Sequence, residues 1–433
     1  MQGKRRSTGV KAVLAAFAPA IFALTLFAAH AAAAQEKVLY SFSNSSGFTL
    51  PVAGVISDAS GNLYGTAFYG GDNGVGMVFE LSPSASGWKQ TVLHSFNTDG
   101  IDGYWVTGGL ILDASGNLYG TTEFGGASTC GVFLGCGTIF KLTPNVGGEW
   151  TETILYDFQG PDGWEVHAGL IVDAAGNLYG TTANGGAYNQ GVVFELSPAA
   201  GGWTEKTLHD FTGGADGGVP YGKVLLDAAG NLYGMNSAGG GATPACRYGC
   251  GTVFELSPPS ELSPSTSGTW SWKGLHDFGK RSGDGHYPQN GLIFDTRGNL
   301  YGSTLEGGGG QNRGIVFQLA PSAGGKWTEK TLHNFNQINQ DGINPTGDLI
   351  FDAAGNLYGE TLVGGSNGKG TVFELIPTAG EGWVETMLHN FSSQSTDGSN
   401  PTSGVILDSL GSVYGTTDSG GAFGEGTVFE IKR

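Results

Sequence analysis

The chain is poor in charge, and the charge that it carries is mostly acidic. Only 13% of its 433 residues are charged, and 20 Lys and Arg residues face 38 Asp and Glu residues, which gives a formal net charge of −18. Such an acidic surface repels phosphate backbones and anionic lipid headgroups. We therefore expect no nucleic-acid partner.

Long apolar runs are absent beyond the N-terminus. Residues 12–29 form one apolar stretch, which follows a basic segment with two Lys and two Arg residues and precedes four alanines at 31–34. This order is typical of a secretory signal peptide, assigned here to residues 1–34, with a membrane anchor as the alternative. No later run is long enough to span a bilayer. We expect a secreted or periplasmic mature chain over 35–433, without a membrane span.

Cysteine is scarce, and its four residues form two local pairs, Cys130/Cys136 and Cys246/Cys250. Both pairs precede the same short motif, Gly-Thr-(Ile/Val)-Phe. An exported chain enters an oxidising compartment, and neither loop offers the further Cys or His residues that a metal site needs. The sequence therefore predicts two short-loop disulfides.

Motifs of common catalytic sites are also missing. No Gly-x-Ser-x-Gly stands between a strand and a helix, and no phosphate-binding loop precedes a helix. Glycine-rich stretches such as Gly307–Gly310 lie between strand-like runs, which is typical of turns.

Glycine, in contrast, is abundant, with 79 residues, and much of it belongs to a repeat. Seven near-copies of Asp-x-x-Gly-Asn-Leu-Tyr-Gly follow one another at spacings of 54 to 68 residues. The first glycines of the copies are Gly61, Gly116, Gly176, Gly230, Gly298, Gly355 and, in a degenerate copy, Gly411. A repeat of this length indicates stacking of one supersecondary unit.

Each unit contains four strand-like runs. In the sixth unit they are 349–351, 357–361, 371–375 and 383–391, with a hairpin turn at 352–356 between the first two. Apolar and polar residues alternate in the third run, as in a half-buried strand. Four antiparallel strands per unit predict an all-β fold, a seven-bladed β-propeller over 35–433 with little or no helix.

The two ends of the mature chain predict a closed ring. The seventh unit stops at 426–433, without a fourth strand, while Lys37–Phe42 matches the fourth-strand pattern of Lys206–Phe211. The N-terminal strand 37–42 can therefore complete the last blade beside 427–431 and remove an exposed edge. An open solenoid, the alternative, would need caps instead.

The repeat resembles a known family. Asp-Ala-Ala-Gly-Asn-Leu-Tyr-Gly-Thr-Thr at 173–182 and Gly-Thr-Val-Phe-Glu-Leu-Ser-Pro at 251–258 are similar to the Gloeo/Verruco-type tandem repeat, GloVer, and the resemblance covers 37–433. The family implies an exported bacterial protein and no established reaction. Members often carry C-terminal anchors, so a chain that ends at Arg433 is expected to be released or periplasmic. The hairpin resembles NHL-type propellers more weakly.

Three residue types recur once per unit, and we interpret each as structural. The aspartate before each Gly-Asn turn is expected to cap that turn. A fourth-strand histidine is expected to pack, because equivalent histidines of different blades are too far apart to share an ion. A tryptophan eight residues before the last Phe of the fourth strand is also expected to pack. They are Asp58, Asp113, Asp173, Asp227, Asp295, Asp352 and Asp408; His94, His209, His276, His333 and His389; and Trp88, Trp150, Trp203, Trp270, Trp327 and Trp383.

A second aspartate, followed by Gly, lies in the loop that joins each fourth strand to the next first strand. These residues are Asp102, Asp162, Asp216, Asp284, Asp341 and Asp397, and the first unit has Ser46-Gly47 instead. Turn capping is the simpler interpretation. The alternative is an acidic collar that binds Ca²⁺, which prefers carboxylate and carbonyl oxygens.

Departures from the repeat locate a candidate ligand site. Trp105, Trp164, Tyr221 and Tyr287 lie in these crossing loops, accompanied by His167 and His286. Aromatic faces beside carboxylates suit a sugar. We therefore predict a site in the sector of blades two to five, on the face that the crossing loops share with the loops between second and third strands. There the aromatics would stack, and Asp102, Asp162, Asp216 and Asp284 would accept hydrogen bonds or bind Ca²⁺. Exposed aromatics that merely cover neighbouring blades are the alternative.

Two further departures point to the axis. Lys223 and Asp348 replace the glycine that the other five units place at the start of the first strand. If the first strands line the axis, the two side chains either bind a small polar ligand or form an ion pair that plugs the channel.

From these observations we expect a monomeric, non-catalytic binding or scaffold propeller, with a glycan or a protein as its ligand. One alternative is an enzyme like propeller lactonases or lyases, with a metal ion over the channel and an asymmetric cluster of Glu, Asp, Asn or His at the axis. The mostly glycine axial position argues against it. Another is a structural envelope protein. No cofactor is predicted, with Ca²⁺ as the alternative.

Overall fold

Seven antiparallel β-sheets form the body of the protein. The computed structural model describes residues 34–43, 48–131, 133–241, 243–244, 246–259, 268–336, 340–380, 382–392 and 394–433. Over these residues it is an all-β, seven-bladed propeller without α-helix, as the sequence predicts. No helix in this part of the chain is long and apolar enough to cross a membrane. The predicted signal peptide, apart from Ala34, and Ser46-Gly47 lie outside the described residues.

The strands of each blade are given from the axis to the rim. Blade one contains Ile56–Ser57, Leu63–Ala67, Met77–Ser84 and Gly87–Ser95. Blade two contains Ile111–Leu112, Leu118–Thr122, Thr138–Pro144 and Trp150–Asp157. Blade three contains Ile171–Val172, Leu178–Thr182, Val192–Ala199 and Gly202–Asp210. Blade four contains Leu225–Leu226, Leu232–Asn236, Thr252–Ser257 and Ser271–Asp277.

The remaining blades follow the same order. Blade five contains Ile293–Phe294, Leu300–Thr304, Ile315–Ser322 and Lys326–Asn334. Blade six contains Gly342–Phe351, Leu357–Gly364, Thr371–Pro377 and Trp383–Asn390. Blade seven contains Ile406–Leu407, Val413–Gly420, Thr427–Lys432 and the N-terminal strand Gln35–Ser41.

Short strands bring the crossing loops beside the loops that follow the second strands. Gly103–Tyr104 pairs with Phe124–Cys130, which also pairs with Phe133–Gly135. Gly285–His286 likewise pairs with Glu306–Gly307, and Gly398–Pro401 with the second strand of blade seven. The two kinds of loop therefore share one side of the propeller, as predicted, and we call it the loop face.

The recurrent hairpin owes its shape to its aspartate. In blade one, Asp58 Oδ1 accepts hydrogen bonds from the backbone N–H groups of Ser60 and Asn62, at 2.8 and 2.9 Å. Its Oδ2 accepts from Asn62 Nδ2 and the Tyr64 hydroxyl, at 2.8 and 3.1 Å. Partial burial would raise the pKa of Asp58, but these hydrogen bonds outweigh it and lower the pKa. The backbone and tyrosine contacts recur in the other six blades, and the asparagine side-chain contact in all of them but blade seven, where Ser412 replaces the asparagine. The capping interpretation is therefore confirmed.

The glycine of each Leu-Tyr-Gly motif makes room for a phenylalanine. A Cβ atom on Gly65 would lie 2.5 Å from Cζ of Phe79, which faces it on the third strand. The corresponding distance in the other blades is 2.5 to 2.8 Å. Any larger residue would push this ring out of the blade core, so the motif is required for packing.

Edge-to-face phenylalanine pairs join every blade to the next. Phe96 at the end of blade one contacts Phe140 of blade two, with ring centroids 5.1 Å apart. The other junctions repeat this contact at 5.1 to 5.3 Å, including Phe42 with Phe79 between blades seven and one. The six recurrent tryptophans are partly buried and pack against the same apolar clusters. The predicted packing role of these tryptophans is thus confirmed. The contact between Phe42 and Phe79 shows that the ring of blades is closed.

The closing strand lies where the sequence predicts it. Gln35–Ser41 runs antiparallel to Thr427–Lys432, with Val38 opposite Phe429 and Tyr40 opposite Val428. The last blade therefore contains strands from both ends of the chain. The N-terminal strand covers the edge that Thr427–Lys432 would otherwise expose.

Candidate functional site

A cavity of about 450 Å³ follows the propeller axis, and residues from all seven blades line it. Its wall is formed mainly by the residues that lead into the first strands, including Gly54, Gly109, Gly169 and Gly404. The first strands therefore line the axis. Because glycine supplies no side chain here, the few larger residues determine the chemistry of the channel.

Lys223 and Asp348 form an ion pair in this channel. Lys223 Nζ lies 2.7 Å from Asp348 Oδ2, and the backbone N–H of Gly291, from the blade between them, donates to Asp348 Oδ1 at 2.6 Å. The Asp348 carboxylate raises the pKa of the Lys223 ammonium against the opposing effect of burial. The sequence left two interpretations of these residues, a site for a small polar ligand and an ion pair. The geometry agrees with the ion pair.

A cluster of two glutamates and a histidine lies on the loop face where blade two meets blade three. His167 belongs to the axial cavity, and its Nδ1 is 3.7 Å from Glu123 Oε2, while its Nε2 is 4.0 Å from Glu165 Oε2. These distances exceed direct hydrogen bonds. Polar ligand atoms or water can therefore bridge the imidazole and the carboxylates. We call Glu123, Glu165, His167 and the adjacent Tyr221 the mouth cluster.

The mouth cluster departs from the repeat at each position. Where blade two has Glu123, the other blades have Phe68, Ala183, Ser237, Leu305, Leu362 and Asp418. The backbone of Glu165 has a positive φ of 58°, and its counterparts Trp105, Val219, Tyr287, Asn344 and Asn400 have φ values of 57° to 60°. The fold therefore determines the backbone conformation at this position but not which side chain occupies it. Two acidic side chains at one junction are not required by the fold.

The protonation states of the cluster follow from its burial. Burial raises the pKa of the Glu123 carboxyl to about 7, and the nearby Glu165 carboxylate adds to the rise. Burial also raises the pKa of Glu165, against a hydrogen bond from Asn184 Nδ2. Burial lowers the pKa of His167 to about 4, so its imidazole is neutral at pH 7 and can both donate and accept.

Aromatic rings border the mouth cluster. Trp105 stacks on Phe68 of blade one, with ring centroids 5.1 Å apart and planes at 21°. Phe124 contacts both Trp105, at 5.6 Å, and Trp164, at 6.4 Å. Phe68, Trp105 and Trp164 are half-buried, so each has a surface for contact. These four rings, the aromatic shelf, span blades one to three.

The structure brings together three of the four predicted aromatics. Trp105 and Trp164 share the aromatic shelf, and Tyr221 packs on His167 with ring centroids 4.9 Å apart. Tyr287 lies elsewhere: it packs against the core cluster of blades four and five, as Trp164 does against that of blades two and three, and it lies beside His286 at 6.3 Å. Trp105 and Trp164 therefore lie together at blades one to three, whereas Tyr287 lies apart from them at blades four and five.

A protein-family model matches most of the chain. The Gloeobacter/Verrucomicrobia repeat matches residues 20–242, 133–325 and 246–433, which together cover most of the chain. The chain belongs to this family. No curated protein matches. The resemblance to the GloVer repeat is therefore confirmed.

Solved structures are similar to this GloVer chain in fold alone. A luciferin-regenerating enzyme is 13% identical, with a TM-score of 0.44 over 92% of this chain and 95% of that one. A putative oxidoreductase (glucose dehydrogenase) from Thermus thermophilus is 15% identical, with a TM-score of 0.41 over 76% and 96%. A protein of unknown function from Dyadobacter fermentans is 11% identical, with a TM-score of 0.43 over 92% and 97%. Likenesses this distant say nothing about activity.

The second aspartates of this GloVer chain lie at the rim end of the crossing loops. Asp102 Oδ2 accepts from the backbone N–H of Asn97 at 3.0 Å and lies 3.3 Å from His94 Nε2 on the fourth strand. Asp162 accepts from the Tyr156 hydroxyl at 2.6 Å. Asp216, Asp284, Asp341 and Asp397 contact the fourth-strand histidines of their own blades. None of the six lines the axial cavity. They cap their loops, and their role toward a ligand or Ca²⁺ stays a prediction.

Both predicted disulfides of the GloVer chain are present. Cys130 is bonded to Cys136, and Cys246 to Cys250. The first bridge closes a loop beside the aromatic shelf, because the strand Phe124–Cys130 begins with the shelf residue Phe124. The bridge thus limits the movement of one side of the candidate site.

Sequence reasoning missed Glu123 and Glu165 in this GloVer chain. Each occurs once, at a position where the repeat tolerates any residue, so neither forms a pattern along the chain. The available signal was a comparison of equivalent positions between units, which shows glutamate at two positions that mostly carry apolar, small or amide residues, with Asp418 of blade seven as the one other acid. Their closeness to His167 appears only in three dimensions.

Proposed function

We propose that this protein is an exported, non-catalytic binding propeller whose ligand is a neutral carbohydrate held on the loop face of blades one to three. The mouth cluster would accept and donate hydrogen bonds, and the aromatic shelf would contact the C–H face of a sugar ring. Two carboxylates in an acidic protein disfavour uronates and other anionic sugars.

One observation carries this proposal. Glu123, Glu165 and His167, which the repeat does not require, come from blades two and three and meet beside the axial cavity. The backbone N–H of Glu123 also donates to the backbone carbonyl of Trp105 at 2.9 Å, which ties this cluster to the aromatic shelf. If these residues varied only by chance, we would expect them to be scattered over all seven blades. Their convergence favours a site for a ligand over coverage of blade edges.

A glycan array tests the proposal. The mature protein is expected to bind a subset of neutral saccharides and to leave acidic ones unbound. Calorimetry with the best saccharide is then repeated on a Trp105→Ala, Trp164→Ala variant, which should lose at least tenfold in affinity. Phe423→Ala is the matched control, because Phe423 is a loop aromatic that is 61% exposed in blade seven.

Two outcomes would overturn the carbohydrate assignment. One is an array without saturable binding. The other is an aromatic double variant that folds, as judged by its thermal transition, and still binds like the wild type. A protein ligand, the other expected class, would then be sought by crosslinking at the same face.

The mouth cluster also favours a second candidate, a propeller enzyme. An enzyme predicts an asymmetric cluster of Glu, Asp, Asn or His at the axis. His167 lines the axial cavity, and Glu123 and Glu165 lie beside it. A carboxyl with a pKa of about 7 is suited to proton transfer near neutral pH. Incubation of the bound saccharide with wild type and Glu123→Gln separates the two, because only an enzyme turns the ligand over and loses that activity in the variant.

Export and a monomeric state belong to the same proposal. Two disulfides and a GloVer repeat support an oxidising location outside the cytoplasm. Fractionation of the native host and light scattering of the purified chain test location and oligomeric state.

A further inference from the structure

Polar clusters join the rims of neighbouring blades. Each begins with the fourth-strand His or Tyr of one blade, continues with the aspartate of the following crossing loop, and reaches the fourth strand of the next blade. At three junctions the three groups are His, Asp and Glu. These are His94–Asp102–Glu152, His333–Asp341–Glu385 and His389–Asp397–Glu36. They join blades one and two, five and six, and six and seven.

The donor atoms of each triad point at one another. His94 Nε2 lies 3.3 Å from Asp102 Oδ2 and 3.4 Å from Glu152 Oε2. His333 Nε2 lies 3.2 Å from Asp341 Oδ2 and 3.7 Å from Glu385 Oε2. With ligand bonds of about 2.1 Å, the edge of a tetrahedron around Zn²⁺ is roughly 3.4 Å. The three donors are thus spaced as ligands of one tetrahedral ion.

The third triad has the same arrangement. His389 Nε2 lies 3.0 Å from Asp397 Oδ1. One donor atom from each of His389, Asp397 and Glu36 lies within 4.8 Å of the other two. Small side-chain rotations would centre an ion among them.

A second observation concerns the glutamates of these three junctions. Glu152 Oε1, Glu385 Oε1 and Glu36 Oε1 are buried and have no hydrogen-bond partner. A buried carboxyl group with an unpartnered oxygen is costly. In Glu152 and Glu385 the other oxygen, Oε2, faces the histidine, so an ion bound there would offset the cost of burying the carboxylate. The triads therefore combine metal-like spacing with a glutamate that has one unpartnered oxygen.

The remaining junctions with an aspartate lack that combination. Glu205 Oε1 accepts from Thr207 Oγ1 at 3.1 Å, and its junction has Tyr156 in place of histidine. Glu329 is paired with Arg281. Beside His209 the glutamate is replaced by Trp272, which stacks on the imidazole at 6.5 Å. The fold therefore closes without a triad, and the triads are additions to it.

We propose that the three His–Asp–Glu triads are binding sites for a divalent transition-metal ion, Zn²⁺, which links neighbouring blades at the rim. An imidazole ligand favours Zn²⁺ over Ca²⁺ and Mg²⁺, which prefer oxygen donors. Three protein ligands leave a fourth position for water. Each site is open to the surface, since 21% of the His94 side chain and 15% of the Glu152 side chain are exposed.

The ligands are held in place before an ion binds. The backbone N–H groups of Asn97, Asn336 and Ser392 donate to the aspartates at 3.0, 2.9 and 2.8 Å. Each histidine ring packs edge-on against the phenylalanine two residues later, with centroids 4.6 to 4.7 Å apart. Such supporting contacts orient metal ligands and reduce the entropy lost on binding.

The test counts ions on the mature protein. Chelator-treated and dialysed protein is titrated with ZnCl₂ by calorimetry, and native mass spectrometry gives the stoichiometry. Three Zn²⁺ per chain are expected. His94→Gln, His333→Gln and His389→Gln should each remove one ion. His209→Gln is the matched control, because it changes the same strand position at a junction without a third ligand, and it should still bind three.

Several results would overturn the proposal. Wild-type protein that binds no Zn²⁺ at micromolar concentrations would show that the junctions are ion pairs only. A stoichiometry that the three substitutions leave unchanged would do the same. Ca²⁺ that binds as tightly as Zn²⁺ would contradict the choice of ion. If a variant does not fold, the Co²⁺-loaded wild type decides, because four-coordinate Co²⁺ absorbs strongly in the visible and an unbound ion does not.

Discussion

Lys223 of blade four and Asp348 of blade six meet in the axial channel, with 2.7 Å between Nζ and Oδ2. They are the two residues that replace the axial glycine of the repeat. Between them, Gly291 leaves no room for a side chain, since a Cβ there would lie 2.8 Å from Asp348 Oδ1 and 3.0 Å from Lys223 Cγ. Three blades thus cooperate to place one ion pair at the centre of the ring.

The ion pair between Lys223 and Asp348 is expected to contribute only modestly to the free energy of unfolding. About a third of each side chain is exposed, 39% for Lys223 and 31% for Asp348, so water screens the interaction. A double-mutant cycle with Lys223→Met and Asp348→Asn should give a coupling free energy of about 1 kcal/mol in chemical unfolding, decreasing at high salt. Additive effects of the two substitutions would mean that the contact contributes nothing to stability.

Glu360 should make the stability fall as the pH rises. Its side chain is fully buried in blade six, and burial raises its pKa from 4.5 to about 8, against hydrogen bonds from the backbone N–H groups of Gly404 and Ser403. Between these values the unfolded chain ionises this group and the folded chain does not. The free energy of unfolding should thus fall by up to about 1.4 kcal/mol per pH unit between pH 4.5 and 8.

Glu360→Gln should remove this part of the slope and stabilise the protein most at and above pH 8. Thermal and chemical unfolding across that range measure it. Glu149→Gln, on an exposed turn of blade two, is the control and should follow the wild type. A Glu360→Gln variant with the wild-type slope would contradict the burial argument.

Saccharide binding at the mouth cluster should depend on pH through Glu123. Its pKa is raised to about 7, mainly by burial, so the carboxylate form that accepts sugar hydroxyls is lost as the pH falls through 7. Affinity measured by calorimetry from pH 8 to 5 should decrease for the wild type. Glu123→Gln should bind more weakly at pH 8 and show a flatter profile. Equal profiles would remove Glu123 from the site.

The two disulfides should contribute similar and limited stability. They close loops with sequence separations of 6 and 4 residues, for which the chain-entropy model gives about 2 kcal/mol each. Cys130→Ser with Cys136→Ser should lower stability by that amount and also weaken saccharide binding, since Phe124 lies on the same strand. Cys246→Ser with Cys250→Ser should match it in stability but spare binding. Mass spectrometry without reduction confirms the bonds.

The fold could be predicted because its causes repeat. The Asp58 turn, the Gly65–Phe79 contact and the Phe42–Phe79 junction each occur in every blade, so one sequence displays each rule seven times. The closing strand was predictable for the same reason, since Lys37–Phe42 repeats a fourth-strand pattern that is missing at the other end.

The candidate site could be predicted only in part. Trp105 and Trp164 could be predicted because aromatic residues in loops are uncommon in this repeat. Glu123 could not, because only the structure shows that it lies near His167. Tyr287 has the same loop position as Trp105 but packs on a different blade, and the sequence gives no distance between them. The rim aspartates show the same limit, because their histidine partners are local while their glutamate partners belong to the next blade.

Closure by the first strand has a consequence for how the protein is made. The hydrogen bond from Ala422 N to Ser41 Oγ joins residues 381 apart in the chain, whereas blades one to six are each built from one continuous segment. A chain that is delivered N-terminus first presents Gln35–Ser41 before all of its partners exist. During that interval the strand is an unpaired edge that a second molecule can capture. Closure of the ring by the last blade therefore competes with exchange of this strand between neighbouring molecules.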